Sequence, residues 1–258
     1  MRLMKRILSA AAVLALSASL LVGCSSGTAS SVPVSASSAA ESTVSSVEET
    51  ASSAVDENEA AAAQLLNDLT GSYQELWPVI LADEYKQTWL DDCTALVGED
   101  NAEAAFEKLS SMVTGDVYGE DAVKAYANGG GAYFCGFTNS LAILTFDGET
   151  STISGTDKDG NVLFSHTYHY IGMEPVRGLY EFQSDDADSG EFTYFFLVPD
   201  TSAETYHIEF RYGSDAEALS QYDAGEYAYW LASGISTDCD QTMIDNCIEL
   251  FCTENLAG

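Results

Sequence analysis

The sequence predicts a mainly β protein with flanking helices: an antiparallel β-barrel preceded by helices and shut by a C-terminal helix. Three observations carry that expectation. From "GGGAYFCGFTNSLAILTFDG" onward, runs rich in aromatic and β-branched residues alternate with short polar turns. Ahead of them, apolar residues recur at helical intervals, and after them Met243, Ile244, Cys247, Ile248 and Phe251 return to helical spacing.

The elements follow in chain order. Residues 1–23 begin with Arg2, Lys5 and Arg6, continue through the apolar "ILSAAAVLALSASLLVG" and lead into Cys24. That charge order and length predict a signal peptide, not a membrane span. The closing "LVGC" has the apolar residue, small residues and cysteine at which bacterial lipoproteins are lipidated and cleaved. Cys24 is therefore expected to become a lipid-bearing N-terminus on the extracytoplasmic face of the cell membrane, in a disulfide-permissive compartment. Residues 24–62 are built from Ser, Ala, Thr and Glu, with too little apolar bulk to offset the entropy of ordering, and are expected to form a disordered tether. Residues 63–258 are long enough for one domain with a sizeable core.

Within that domain, residues 60–92 predict two helical pieces joined at "LTGSY", with breaks at Gly71 and Pro78. "NAEAAFEKLSSMVTG" predicts another helix, with Ala105, Phe106, Leu109 and Met112 or Val113 along one side. The strand candidates include "VLFSHTYHYIG", "LYEFQ", "EFTYFFLV" and "TYHIEFRY", separated by turns such as "DKDGN", "SDDADSGE" and "PDTSAE". Consecutive strands joined by short turns favour an antiparallel meander, and closure into a barrel removes its exposed edges. "DCDQTMIDNCIELFCTEN" supplies the closing helix, with a cap expected at Thr237 or Asp238.

Charge narrows the function. After Cys24 only Lys86, Lys108, Lys124, Lys158, Arg177 and Arg211 stand against all 41 acidic residues of the chain. Such a surface repels nucleic acid and anionic lipid headgroups. The two arginines are expected to serve structure, since a guanidinium's five donors can tie several carbonyls or carboxylates together. The five cysteines after Cys24 (Cys93, Cys135, Cys239, Cys247 and Cys252) include no C-x-x-C pair, so no zinc ribbon or thioredoxin-type motif is indicated. One or two disulfides are compatible with them, with no connectivity implied. Cys247 falls in the apolar stripe of the last helix and is expected to be a buried thiol.

No nucleophile elbow, phosphate-binding glycine loop or recognisable catalytic pairing occurs, so a binding protein is expected and not an enzyme. Asp185, Asp186 and Asp188 lack the oxygen-ligand spacing of a twelve-residue calcium loop and are expected to form an acidic hairpin turn. The chain has three histidines, His166, His169 and His207. The first two are three apart on a strand and face opposite sides, His166 sharing its side with Tyr168 and Tyr170. His207 and Glu209 are two apart and share a face, so both can point into the barrel and approach one ion.

Several segments resemble, in order, the ZinT/YodA family of lipocalin-like (calycin) metal-binding proteins. "GSYQELWPVI" is similar to its Gly-x-Trp/Tyr-x-x-x-Tyr/Trp-Pro opening. "YHYIGMEPVRGLYEF" resembles its Tyr-x-Tyr-x-Gly and Val-Arg-x-x-x-Phe segment, and "YHIEFRYGSDAEAL" its His-x-His strand ending in Gly-x-Asp. "AGEYAYWLASGI" stands at its Asn-Trp-Pro-Thr-Tyr-Tyr-Pro run. The resemblance implies a calycin-type barrel that captures zinc or another divalent metal at its mouth and hands it to a zinc ABC transporter. By the same resemblance the family's histidine pair falls on His207 and Glu209, and its upstream histidine on Val198, which cannot bind metal. Asp200, Glu204 and His166 are the candidate third ligands, since a zinc site normally takes three or four. The alternative is a barrel that has lost its metal and binds a small organic ligand or a protein partner, lined by Tyr168, Tyr170, Tyr194, Phe196 and Tyr206.

Overall fold

The structure, a computed structural model, describes residues 57–198 and 207–257. Cys24, the signal segment and most of the tether lie outside the described residues, as do Asp200, Glu204 and Tyr206. Eight antiparallel strands close into a barrel in sequence order, each pairing with the next and the first with the last. They are β1 (Gly71–Glu75), β2 (Ile143–Asp147), β3 (Thr152–Thr156), β4 (Val162–Met173), β5 (Tyr180–Ser184), β6 (Tyr194–Leu197), β7 (His207–Gly213) and β8 (Ala232–Ser236). The mainly β barrel with flanking helices thus stands as the sequence predicts.

Two features depart from the helical expectation for residues 60–92. A helix, α1, covers residues 57–68 and so begins inside the stretch that composition assigns to the tether. The next segment is not helical: "GSYQE" is strand β1, which pairs with β2 through Tyr73 and Leu144 and with β8 through Tyr73 and Ser236. Its one fully inward residue, Tyr73, packs edge-on against Phe146 with ring centroids 5.7 Å apart. Tertiary pairing on both sides therefore overrides the helical pattern of its neighbours. Pro78 does not break the short helix α2 (Leu76–Ile80), because it stands in the first turn, where no intrahelical N–H partner is lost.

Three further helices follow α2 in the interval between β1 and β2: α3 (Lys86–Val97), α4 (Glu99–Val113) and α5 (Glu120–Ala127). On α4 the expected stripe is seen, with Ala102, Ala105, Leu109 and Val113 buried and Met112 left exposed. The segment after β7 holds a one-turn helix α6 (Ala216–Leu219), and the closing helix α7 spans Gln241–Leu256. Its cap is Asp240, whose carboxylate accepts from the Met243 N–H at 3.0 Å. Thr237 and Asp238 fall instead in the turn after β8, where the Asp238 N–H is taken by the Ser236 hydroxyl.

Two cores result. The barrel interior is filled by rings: Phe164 lies 5.9 Å from Phe195 across two strands, and Phe195 lies 5.3 Å from Tyr212. Gly155 makes room for this packing, since a Cβ there would stand 2.4 Å from Phe164 and Leu141 side-chain atoms. Helix α1 joins the same core through Ala62, Leu65, Leu66 and Leu69. It lies so close to the β2–β3 turn that a Cβ on Gly148 would strike the Asn67 backbone at 2.4 Å. The second core is a helical layer of α2, α3, α4 and α7 gathered on Ile235, which points outward from β8.

Candidate metal centre

Strand β7 decides where His207 and Glu209 point. Its sequence HIEFRYG alternates polar and apolar residues. Ile208, Phe210 and Tyr212 are almost completely buried in the interior; Phe210 meets Phe137 at 5.3 Å, and the Tyr212 hydroxyl accepts from the Thr138 N–H at 2.6 Å. His207, Glu209 and Arg211 therefore share the opposite, outer face. The shared face agrees with the expectation, but an orientation into the barrel does not. Three large apolar side chains compete for the same interior, and a one-residue change of phase would expel all of them.

The outer face is not open to water at this place. His207 stands across the ladder from Ile235, the residue on which the helical layer packs, and Glu209 stands across from Ser233. Both are half-buried. Behind them is Cys135; burial, reinforced by the Glu209 carboxylate, pushes its thiol up to about 12. Beyond β6 the ladder continues for one more residue, the Val198 N–H donating to the Glu209 carbonyl at 3.0 Å. Val198 is thereby placed beside Glu209 on the same face. The three positions singled out by the resemblance, Val198, His207 and Glu209, thus gather in one patch.

His166 is not part of it. Through the pairs Tyr168–Ser184 and Tyr194–Gly213, the strand ladder carries the level of His166 past the last residue of β7, whereas His207 is its first. Its Nδ1 is 2.8 Å from Asp186, and His169 Nδ1 is 2.6 Å from Asp185. The acidic turn between β5 and β6 therefore holds the two histidines, one on each side of β4. Among the described residues, no group of three or more His, Cys, Asp or Glu side chains is arranged to hold a metal. His207 and Glu209 offer zinc one imidazole nitrogen and one carboxylate; the connection of residues 199–206, which carries Asp200 and Glu204, lies outside the described residues.

The two arginines occupy a separate network on the outer face. Arg211 is fully buried, and its guanidinium donates to the carbonyls of Leu219, Tyr227 and, at 3.4 Å, Gln221. It lies 4.4 Å from the Tyr222 ring centroid, with Arg177 4.0 Å from the same ring. Glu174, also buried, accepts from the backbone N–H groups of Val176 and Arg177 and from the Tyr222 hydroxyl. This network ties the segment after β7 to the barrel wall.

The organic-ligand alternative loses part of its lining. Tyr168 and Tyr170 do face inward, but Tyr194 and Phe196 alternate with the inward Phe195 and Leu197 and so lie on the outer side of β6. A cleft that sequence reasoning missed lies outside the barrel. It measures about 320 Å³ and is lined by Glu75, Trp77, Leu81, Val113, Phe134 and Cys135. The Trp77 indole N–H is buried and faces the Cys135 thiol. These residues come from well-separated stretches of chain, so no local sequence signal joins them.

No protein-family model matches the chain, and no curated protein matches it. Two solved structures are similar in fold. A Zn(II)-bound ZinT-like domain of Streptococcus pneumoniae AdcA shares 16% identity at a TM-score of 0.45, covering 71% of this chain and 89% of that domain. Zn(II)-bound AdcA from the same organism shares 14% identity at a TM-score of 0.43, covering 72% of this chain but only 35% of that protein. A likeness at this level says nothing of which ligand this chain binds. The class of protein is set by the chain's own geometry: an eight-stranded antiparallel barrel with a helical layer on its outer wall and a histidine–carboxylate pair on the outer face of β7.

Proposed function

We propose that the protein is a lipid-anchored, extracytoplasmic binding protein for a divalent metal ion, zinc by preference, which it captures and hands to a transporter. The observation that carries this reading is the placement of His207 and Glu209 side by side on one face of β7, with Val198 beside them. Zinc accepts imidazole nitrogen and carboxylate oxygen. The remaining ligands are sought in the connection from Val198 to His207, where Asp200 and Glu204 stand. The lipid anchor at Cys24 keeps the barrel at the membrane surface, and the acidic exterior draws cations towards it. No covalent chemistry is involved.

Calorimetry on the demetallated domain tests the proposal. Stoichiometric zinc binding is expected, weakened more than about 100-fold by His207→Ala, since loss of a direct ligand should exceed the effect of losing its supporting contacts. Absence of stoichiometric binding, or an affinity untouched by His207→Ala, sinks it. The cleft beside Trp77 favours one other reading, in which a small organic molecule is the ligand. Native mass spectrometry of protein taken directly from cells separates the two: a metal mass supports the first, an organic mass the second.

A further inference from the structure

The geometry points to a disulfide between Cys93 and Cys252 that fastens the closing helix to the helical layer. Cys93 lies on α3 and Cys252 on α7, and their sulfur atoms are 3.9 Å apart. Both residues are fully buried in the core that also holds Trp89, Leu109 and Ile248. A disulfide spans about 2.05 Å, so the sulfurs have roughly 2 Å left to close between two helices that pack directly against each other. Spacing along the chain implies no such pairing, because almost the whole barrel, β2 to β8, lies between the two cysteines.

The chemistry requires an oxidant, and here the inference rests on the extracytoplasmic location proposed above. A disulfide-bearing oxidant, protein or glutathione, accepts the first thiolate and forms a mixed disulfide. The second thiolate then displaces it. Two S–H bonds lose their protons, one S–S bond forms, and two electrons reduce the oxidant's disulfide to two thiols. Burial pushes both thiols above the ordinary range once the helices have packed. The exchange therefore belongs to the stage at which α7 docks, before the pair is sealed from solvent.

Enclosing so much chain removes freedom mainly from the unfolded state. The test has two arms. In the first, the reduced, unfolded chain is refolded in a glutathione redox buffer, quenched with acid, alkylated without reductant and digested for mass spectrometry. In the second, protein exported by cells is quenched and mapped in the same way. A Cys93–Cys252 linked peptide is expected in both, with reduction lowering Tm by about 5–15 °C. That Tm difference should vanish in a Cys93→Ala/Cys252→Ala variant. Alkylation of both cysteines in the refolded protein, or linkage of either to another cysteine, overturns the inference. A link that forms on refolding but is missing from cell-derived protein leaves the pair standing and refutes the extracytoplasmic location instead.

Discussion

Arg211 shows how much a single residue can hold in this molecule. Its charge is buried, and burial pulls its pKa down to about 10, yet its two terminal nitrogens donate to carbonyls from three places in the segment after β7, leaving only Nε buried without a hydrogen-bond partner among the described residues. Arg211→Met removes the charge but leaves those carbonyls without donors in a dry environment. A loss of about 3–5 kcal/mol is expected, read as a lower urea midpoint with an unchanged slope. Arg211→Lys should recover only part of it, because an ammonium is a compact point charge and cannot reproduce the planar fork. The sequence marked both arginines as structural ties; that Arg211 makes the carbonyl contacts and shares the Tyr222 ring with Arg177 depended on the turn after β4 meeting the segment after β7. Glu209 has a similar history. Its place beside His207 was legible from their spacing, but its closeness to Cys135 was not, since nothing local links the two.

At the scale of elements, strands were more legible than the boundaries of helices. Alternation identified β4 to β7, because one face of each must enter a ring-filled interior. β1 was hidden: five residues with one buried side chain, lying among helices, gain their conformation from ladders on both sides. The closing helix shows the same limit at its start. Thr237 and Asp238 are plausible caps by residue type, yet the turn after β8 consumes them and Asp240 takes the position. Asp240→Ala should therefore destabilise the protein by about 1 kcal/mol, whereas Thr237→Ala should leave it within about 0.5 kcal/mol. Thermal or urea unfolding of the two variants measures the difference, and the reverse order would move the cap back to Thr237.

At the scale of the whole molecule, the burial of several phenols sets the behaviour at high pH. Burial raises Tyr73, Tyr126, Tyr222 and Tyr227 each to about 12 from an ordinary value of 10.0. A folded-state pKa above the unfolded one means that the native state holds its protons more tightly. The stability these groups contribute is complete below pH 10, and it is lost as pH rises from about 10 towards 12. The full tyrosinate absorbance should accordingly be reached only together with unfolding in that window. Completion of the absorbance change near pH 10, ahead of unfolding, would show that these four rings are more exposed than the fold places them.

By itself the sequence determined the period of most elements, β1 excepted, and with it the barrel, the helical cover and the fact that His207 and Glu209 share a face. It also held the phase of β7, since a strand that alternates His, Glu and Arg with Ile, Phe and Tyr sends the second set to an apolar interior, although the expectation that His207 and Glu209 enter the barrel had that phase reversed. Tertiary structure alone decided that the helical layer packs on Ile235 of β8, across the ladder from His207, that Val198 joins the pair while His166 sits at the far end, and that Cys93 meets Cys252. The reason is physical: periodicity follows from backbone geometry and is written locally, whereas meetings between distant segments follow from how the packed elements share one volume.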